Sequence, residues 1–463
     1  MRRTSARLLS VMAAGTLLIA ACSSSKSTTG ATATTTGDTA PASTTAATTG
    51  DTSAPTTDAG SGAPWAVSTA DCTDPAAATK AITGTIKIGS VMPLTGGIAA
   101  AAFAPVKDGF NAYMDYANSK KLLGDVQVKT TIEDDQYSKD LTPGAVSKLI
   151  DGGTDIVAGI IGTPNNLAVR QTLNDACIPQ LNALTGSPHW GEVKDFPWTT
   201  GILVPYDTES KVYAAQLKEM YPNGAKVALF YVDSEFGTAY ADAFKSLAKD
   251  YNLDIVDEET IGAEDQTPPA SQVTNIAAKK PDVIMAVPLG AGCVTFLSQL
   301  ATAKAQNAGW TPATFITNTC ASSLILGAAG AAADGLYTSS GTIDVGNPAN
   351  ANLPKVKEYL DYMNSIGKSA IATTAAAGWT TAEVTVAILQ QAQKSKDGLT
   401  RASIINAARN FTYTPMLARD GVVLKMNGEK DPFLAESLQV LQYKAGPPGT
   451  FTDIGKLITS FEH

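Results

Sequence analysis

From about residue 85 to residue 317 the chain repeats one unit, a short apolar run followed by a stretch whose apolar positions recur every three to four residues. Residues 85–93, 126–133, 155–161, 178–182, 226–232, 253–258, 282–288 and 314–317 read as strands. Residues 105–119, 141–152, the stretch after Asn166, 206–221, 238–251, 270–280 and 294–308 read as helices. Strands separated by helices of this length pair in parallel, with the helices laid over both faces of the sheet. The fold class is therefore α/β with parallel sheets. There are more units than one ordinary sheet needs, and 463 residues leave room for two domains. Two similar α/β lobes are the expected solution.

Within this pattern residues 154–166, TDIVAGIIGTPNN, hold a strand buried on both faces that runs into a polar loop. In open α/β sheets ligands bind beyond the carboxyl ends of the strands, where helix amino termini turn free N–H groups outward. Thr163, Asn165 and Asn166 carry hydroxyl and amide groups and no charge. The loop is either a cradle for the polar end of a small molecule or a set of caps for the helix that follows.

Beyond Leu336 come a strand-like segment to Ile343 and helices at 354–366, 373–394 and 401–408. Residues 417–426 and 436–443 then read as paired strands, with Asn427-Gly428 a turn signal between them. At the other end, residues 1–22 read as a targeting leader: Arg2, Arg3 and Arg7 precede an apolar run shorter than the roughly 20 residues that cross a bilayer. The run ends Leu18-Ile19-Ala20-Ala21-Cys22, which matches the bacterial lipobox. Cys22 is thus the expected lipidated amino terminus of a protein anchored at the extracytoplasmic face of the cell membrane; ordinary secretory cleavage near Ala21 is the alternative. Residues 23–64 are almost all Ser, Thr, Ala, Gly, Pro and Asp, too polar to pack, and read as a disordered tether.

With 34 basic against 43 acidic residues, a net charge of −9 and no basic stripe, the chain has no surface for nucleic acid. His189 is the only internal histidine, and no GxSxG, HExxH or P-loop pattern is present, which argues against a secreted hydrolase. With no CxxC and two histidines, no metal site and no cofactor are expected.

Several short pieces stand in a telling order: Ile86-Lys87-Ile88-Gly89 with Pro93-Leu94-Thr95-Gly96, a helix containing Gly109, Glu133-Asp134-Asp135, the 159–166 loop, 227–233 followed by Phe236-Gly237, and 315–319. Together they resemble the type I periplasmic solute-binding proteins of ABC importers, in the leucine/isoleucine/valine-binding (branched-chain amino acid) branch. The resemblance runs over residues 82–443. It implies two Rossmann-like lobes joined by three crossings, lobe 1 from 82–204 plus 340–420 and lobe 2 from 205–339 plus 421–463. The lobes would close by a hinge on a small organic solute, an amino acid or a related amide or organic compound, and deliver it to permease subunits. Sensing without transport uses the same fold.

Position by position, the resemblance implies ligand contacts from Phe103, Thr163, Asn165, Asn166, Leu184 and Thr185 in lobe 1. From lobe 2 it implies Tyr206, Asp207, Phe236, Gly290 and Thr319. Thr319 departs from the pattern, because amino-acid-binding members carry an acid there for the ligand's ammonium. A buried ammonium without a carboxylate partner is costly; Asp207 either substitutes or caps a helix. Four cysteines besides Cys22 allow three pairings. Cys293 and Cys320 each follow one of two consecutive parallel strands, and neighbouring strands lie about 4.8 Å apart, within reach of a disulfide. This favours Cys293–Cys320 and leaves Cys72–Cys177 to fasten the amino-terminal segment.

Overall fold

The structure, a computed structural model, describes residues 64–459 apart from 264 and 266. The leader with Cys22 and the tether up to residue 63 lie outside the described residues. After a short helix α1 (Pro75–Thr79), alternation builds a first sheet from β1 (Thr85–Met92), α2 (Gly97–Ser119), β2 (Gln127–Asp134), α3 (Thr142–Asp151), β3 (Ile156–Ala158), α4 (Thr163–Asp175), β4 (Gln180–Ala183) and β5 (Thr199–Gly201). Its order is β2-β1-β3-β4-β5, parallel throughout.

The chain then moves to a second sheet through α5 (Tyr206–Met220), β6 (Ala225–Asp233), α6 (Glu235–Ala248), β7 (Leu253–Gly262), α7 (Ala270–Lys279), β8 (Val283–Val287), α8 (Gly292–Gln306), β9 (Ala313–Ile316), α9 (Ser323–Ala329) and β10 (Tyr337–Ser340). Helices α10 (Pro354–Ser365), α11 (Ala372–Gln393) and α12 (Arg401–Arg409) follow, then β11 (Asn410–Tyr413), β12 (Leu424–Asn427), β13 (Leu438–Lys444) and β14 (Thr450–Ile458). The second sheet has the order β14-β13-β10-β9-β8-β6-β7, parallel from β10 to β7, with β13 and β14 added antiparallel.

Period-two alternation divides each strand's side chains between two cores. In β1, Ile86, Ile88 and Met92 join Phe110 of α2 and Trp379 of α11, while Val91 packs with Leu149 of α3 and Val169 of α4. In β6, Val227 and Leu229 join Tyr240 and Phe244 of α6, while Phe230 stacks on Phe296 of α8 with ring centroids 4.4 Å apart. Helices α2 and α11 approach through glycine on both sides. A Cβ at Gly109 would stand 1.8 Å from the Ala375 carbonyl oxygen, and one at Gly378 would stand 1.9 Å from that of Val106.

Three elements differ from the sequence reading. Helix α2 starts at Gly97 and takes Pro105 into its interior, although proline is expected in a first turn. The segment at 424–427 does not pair with 438–444. It pairs with β11, setting Leu424 and Met426 inward beside Phe411, while β13 adds to β10. The turn at Asn427-Gly428 does form, with Gly428 at φ +58°, but it returns the chain only to Asp431. A local turn signal fixes a reversal and leaves the partner strand to tertiary packing. Both disulfides form as expected, Cys72–Cys177 and Cys293–Cys320, with Cα separations of 5.4 and 6.0 Å. Among the described residues no helix is long and apolar enough to cross a membrane.

Candidate functional site

Between the carboxyl edges of the two sheets lies a cavity of about 320 Å³. The first sheet presents Phe103 after β1, Tyr137 after β2, Ile161 and Gly162 after β3, Leu184 after β4 and Ile202 after β5. The second presents Phe236 after β6, Leu289 after β8 and Asn318 and Thr319 after β9. Helix α11 adds the small faces of Thr373, Ala377 and Thr381. The segment after β10, Thr342 to Val345, closes the remainder with Leu417, Leu424 of β12 and Leu438 at the start of β13. This volume is at the lower end of the roughly 300–1,000 Å³ of small-molecule pockets.

Of the residues singled out from the sequence, Phe103, Leu184, Tyr206, Phe236 and Thr319 stand on the cavity wall. Thr163 and Thr185 sit just behind it, in a chain of hydroxyls: Thr163 Oγ1 bonds Thr185 Oγ1, which lies 3.0 Å from the Tyr206 hydroxyl. Trp190 braces this chain from outside, its indole N–H donating to the Thr185 carbonyl at 2.9 Å. Asn165 and Asn166 are not on the wall. Asn165 Nδ2 donates to Asp135 Oδ2 at 2.8 Å and to Thr142 Oγ1 at 3.0 Å, and Asn166 Nδ2 donates to the Ile160 and Gly162 carbonyls, both at 2.8 Å. These amides lock the strand-to-helix turn from inside. Asp207, in the first turn of α5, is also off the wall and pairs with Lys211 at 3.5 Å. Gly290 is replaced on the wall by Leu289, since at Gly290, with φ +56°, the chain turns into α8.

Gly162 reaches the wall where Thr163 does not. Its φ of +99° lets the chain leave β3 and enter α4 at once, a conformation L side chains rarely adopt. The ring of Tyr137 lies against it: a Cβ at Gly162 would stand 2.8 Å from Tyr137 Cε2. Tyr137 was not foreseen from the sequence. Gln136 and Tyr137 both hold the left-handed region, at φ +55° and +62°, which costs free energy unless neighbours enforce it. Two carboxylates supply that enforcement. Asp134 accepts from the Leu94 N–H at 2.8 Å, the Gln136 N–H at 3.0 Å and the Thr95 hydroxyl, and Asp135 accepts from the Tyr137 N–H at 3.0 Å and the Thr142 hydroxyl at 2.8 Å. Burial pushes the Asp135 carboxyl above its ordinary range despite those donors. The signal that could have pointed to Tyr137 was Asp134-Asp135, two acids in succession at a strand end.

A second residue missed from the sequence is Glu209, fully buried under Asn318 and Thr319. It accepts from the Tyr213 hydroxyl at 2.6 Å, the Asn318 N–H at 2.8 Å, the Ser339 hydroxyl at 3.0 Å and the Tyr240 hydroxyl. Burial raises its pKa above the ordinary carboxylate value, against the pull of these donors. This acid, bonded to the N–H of the residue before Thr319, therefore ties α5, α6 and the β9 and β10 ends together. Tyr206 stacks on Tyr240 at 4.3 Å, so the wall rests on this network. His189 lies apart from the cavity wall, its Nδ1 2.6 Å from Glu192 Oε1, and Glu192 also holds Arg170 at 2.6 Å.

Solved structures share this architecture. A branched-chain amino acid ABC transporter protein from Thermus thermophilus with bound valine aligns at TM-score 0.70 and 19% identity, over 81% of this chain and 97% of that one. A fatty acid ABC transporter substrate-binding protein from Thermomonospora curvata aligns at TM-score 0.67 and 18% identity, over 82% and 94%. A solute-binding protein of an ABC transporter from Rhodopseudomonas palustris BisB5, in complex with 3,4-dihydroxybenzoic acid, aligns at 0.65 and 17%, over 81% and 97%. No curated protein matches the chain. Residues 85–446 match the family described as periplasmic binding protein, and with that span, this topology and a cavity between the sheet edges, the chain belongs to the periplasmic binding protein family.

Proposed function

We propose that this protein is an extracytoplasmic solute-binding receptor, not an enzyme, which captures a small organic solute between two lobes by hinge closure and hands it to the permease of an ABC importer. The lipobox supports a lipid anchor on Cys22, with residues 23–64 as the tether that gives the receptor reach. The observation that carries the reading is the cavity itself, whose wall is shared between the strand ends of both sheets and the segments that join them. A solute touching both edges favours the closed arrangement over an open one by the contacts the open one lacks. Of the solved structures named above one has valine bound, one is in complex with 3,4-dihydroxybenzoic acid and one is the substrate-binding protein of a fatty acid transporter, all in the same fold, which supports solute chemistry as a property of the wall and not of the framework. An amino acid, a related amide or another organic compound falls within that range.

A thermal-shift screen over amino acids, amides, polyols, alcohols and aromatic acids tests the reading, with small-angle scattering for closure. A genuine solute at about 100 times its Kd should add about 2.7 kcal/mol of stability and shrink the radius of gyration. No shift with any compound, together with turnover of an ester or peptide, would replace the receptor by a hydrolase.

A further inference from the structure

If the cavity is the solute site, its wall also says what kind of solute fits. Among the described residues only Asp344 and Arg419 bring charge to the wall, and each is engaged within the protein. Asp344 Oδ1 accepts from the Ser323 hydroxyl at 3.1 Å and the Gly346 N–H at 3.0 Å, and its Oδ2, which has no partner, is buried rather than open to the cavity. Arg419 donates to the Thr342 carbonyl at 3.2 Å and to both Asp453 oxygens at 2.8 and 3.0 Å. Glu209, the acid beneath Thr319, is 0% exposed and surrounded by its own donors. The polar residues opening α4 are withdrawn as well, Thr163 at 1% and Asn165 and Asn166 at 0% exposure, and the Tyr137 ring lies on Gly162 in front of them.

The surface left for a solute is the aromatic faces of Phe103, Tyr137, Tyr206 and Phe236, continued by aliphatic side chains toward Leu424 and Leu438. Its polar features are uncharged. The Tyr137 hydroxyl forms no hydrogen bond among the described residues, so it is available to a solute. An ammonium or carboxylate carried into this wall would shed its hydration with no exposed, unpaired counter-charge to replace it, since the wall's one unpartnered charged oxygen among the described residues, Asp344 Oδ2, is shut away from the cavity. An apolar body loses nothing of the kind and gains burial.

We infer that the solute is uncharged and mainly apolar, with a hydroxyl or carbonyl group that meets the Tyr137 hydroxyl, and that Tyr137 sets this preference by covering Gly162 and the amino end of α4. This rests on the receptor reading and narrows it away from zwitterionic amino acids.

One carbon skeleton in four charge states tests it: 1-octanol, octanoate, octylammonium and 2-aminooctanoate, titrated calorimetrically into the full chain. 1-Octanol should bind about tenfold or more tighter than 2-aminooctanoate, with a negative heat-capacity change, since each uncompensated charge is a desolvation loss. Tyr137→Ala should raise octanoate affinity relative to 1-octanol by about tenfold by uncovering the α4 amino end, whereas Tyr137→Phe, which keeps the ring, should leave the preference against charge intact. A mere loss of packing would weaken all four compounds together. Failure of 1-octanol to bind, or equal or tighter binding of octanoate or 2-aminooctanoate by the unmodified chain, overturns the inference without any variant having to fold. If an amino acid or polyol then closes the protein in the scattering experiment, the receptor reading stands and only the solute class falls. Closure with no compound overturns both.

Discussion

Glu383→Gln isolates a single buried ionisation and gives it a measurable size. Glu383 lies in α11, 3% exposed, with Oε1 accepting from the Tyr413 hydroxyl at 2.9 Å and the Met416 N–H at 2.8 Å, and Oε2 without a partner. Burial pushes its carboxyl from 4.5 to about 7. One pKa unit is worth 1.36 kcal/mol, so ionising this group is about 3 kcal/mol harder in the folded chain than in the unfolded one. Because the folded pKa lies above the unfolded value, the native state holds the proton more tightly. The stability this confers is fully present below about pH 4.5 and is lost as pH rises through about 7. Glutamine keeps an acceptor for both donors and does not titrate. Urea unfolding of variant and parent at pH 5 and pH 8 should therefore show their stability difference moving in the variant's favour by about 2.5 kcal/mol, with all shared titrations cancelling. The constant part of the difference, from the new amide's unpaired N–H, does not enter. A difference flat with pH would refute the argument and show that the carboxylate is accommodated by water or by rearrangement. Met416 is flanked by Pro415 and Leu417, both on the cavity wall, so solute affinity is a second readout and should weaken above pH 7 in the parent but not in the variant.

Gly109→Ala should cost at least about 3 kcal/mol in thermal unfolding, since its methyl falls on the Ala375 carbonyl and the α2–α11 crossing must open; an effect below about 1 kcal/mol would mean the crossing is not this close. Replacing Cys72 and Cys177 by alanine should cost more than replacing Cys293 and Cys320, about 5 against about 3.5 kcal/mol by loop entropy for sequence separations of 105 and 27, and the reverse order in urea unfolding would contradict it.

The framework was legible in the chain because each of its signals is local and repeated. Eight apolar runs and the helices between them declare the parallel sheets, and cysteines placed just past adjacent strands declare the Cys293–Cys320 bridge. The site was legible only as a set of strand ends. Which residue at each end faces the cavity depends on the turn taken there. At β3 the positive φ of Gly162 brings glycine to the wall and rotates Thr163, Asn165 and Asn166 into the protein. At β8 it is Leu289 that stays on the wall. Tyr137 and Glu209 escaped for a different reason. The first owes its place to a left-handed turn held by two aspartates that do not line the cavity themselves, and the second to hydroxyls contributed by α5, α6 and β10. Asp134-Asp135 at the end of β2 is the one local trace of the first arrangement, and the second has no period or motif to reveal it. The pairing of β12 with β11 was missed on the same grounds, because the Asn427-Gly428 turn is local and its partner strand is not.

On the hinge reading, the polar contacts described between the two edges are individually weak, although side chains from both sheets also share one apolar cluster. Lys139 and Glu235 bridge at 3.5 Å, with side chains 58% and 43% exposed, a pair of the kind that contributes under about 1 kcal/mol in water. The Thr185–Tyr206 hydroxyl bond lies one residue past Pro205, close to where the chain passes from one sheet to the other, so it hardly changes with the angle between them. Helices α4 and α6 touch, without a hydrophobic cluster of their own. On that reading a modest ligand suffices to move the equilibrium, since shifting a two-state population from 1:99 to 99:1 takes only about 5.5 kcal/mol of differential binding. Burying a small apolar solute against Phe103, Tyr137, Tyr206 and Phe236 is enough to supply most of that, because Phe103 and Tyr137 come from the first sheet's edge, Phe236 from the second's and Tyr206 from the crossing between them, and only the closed arrangement brings all four onto the same molecule.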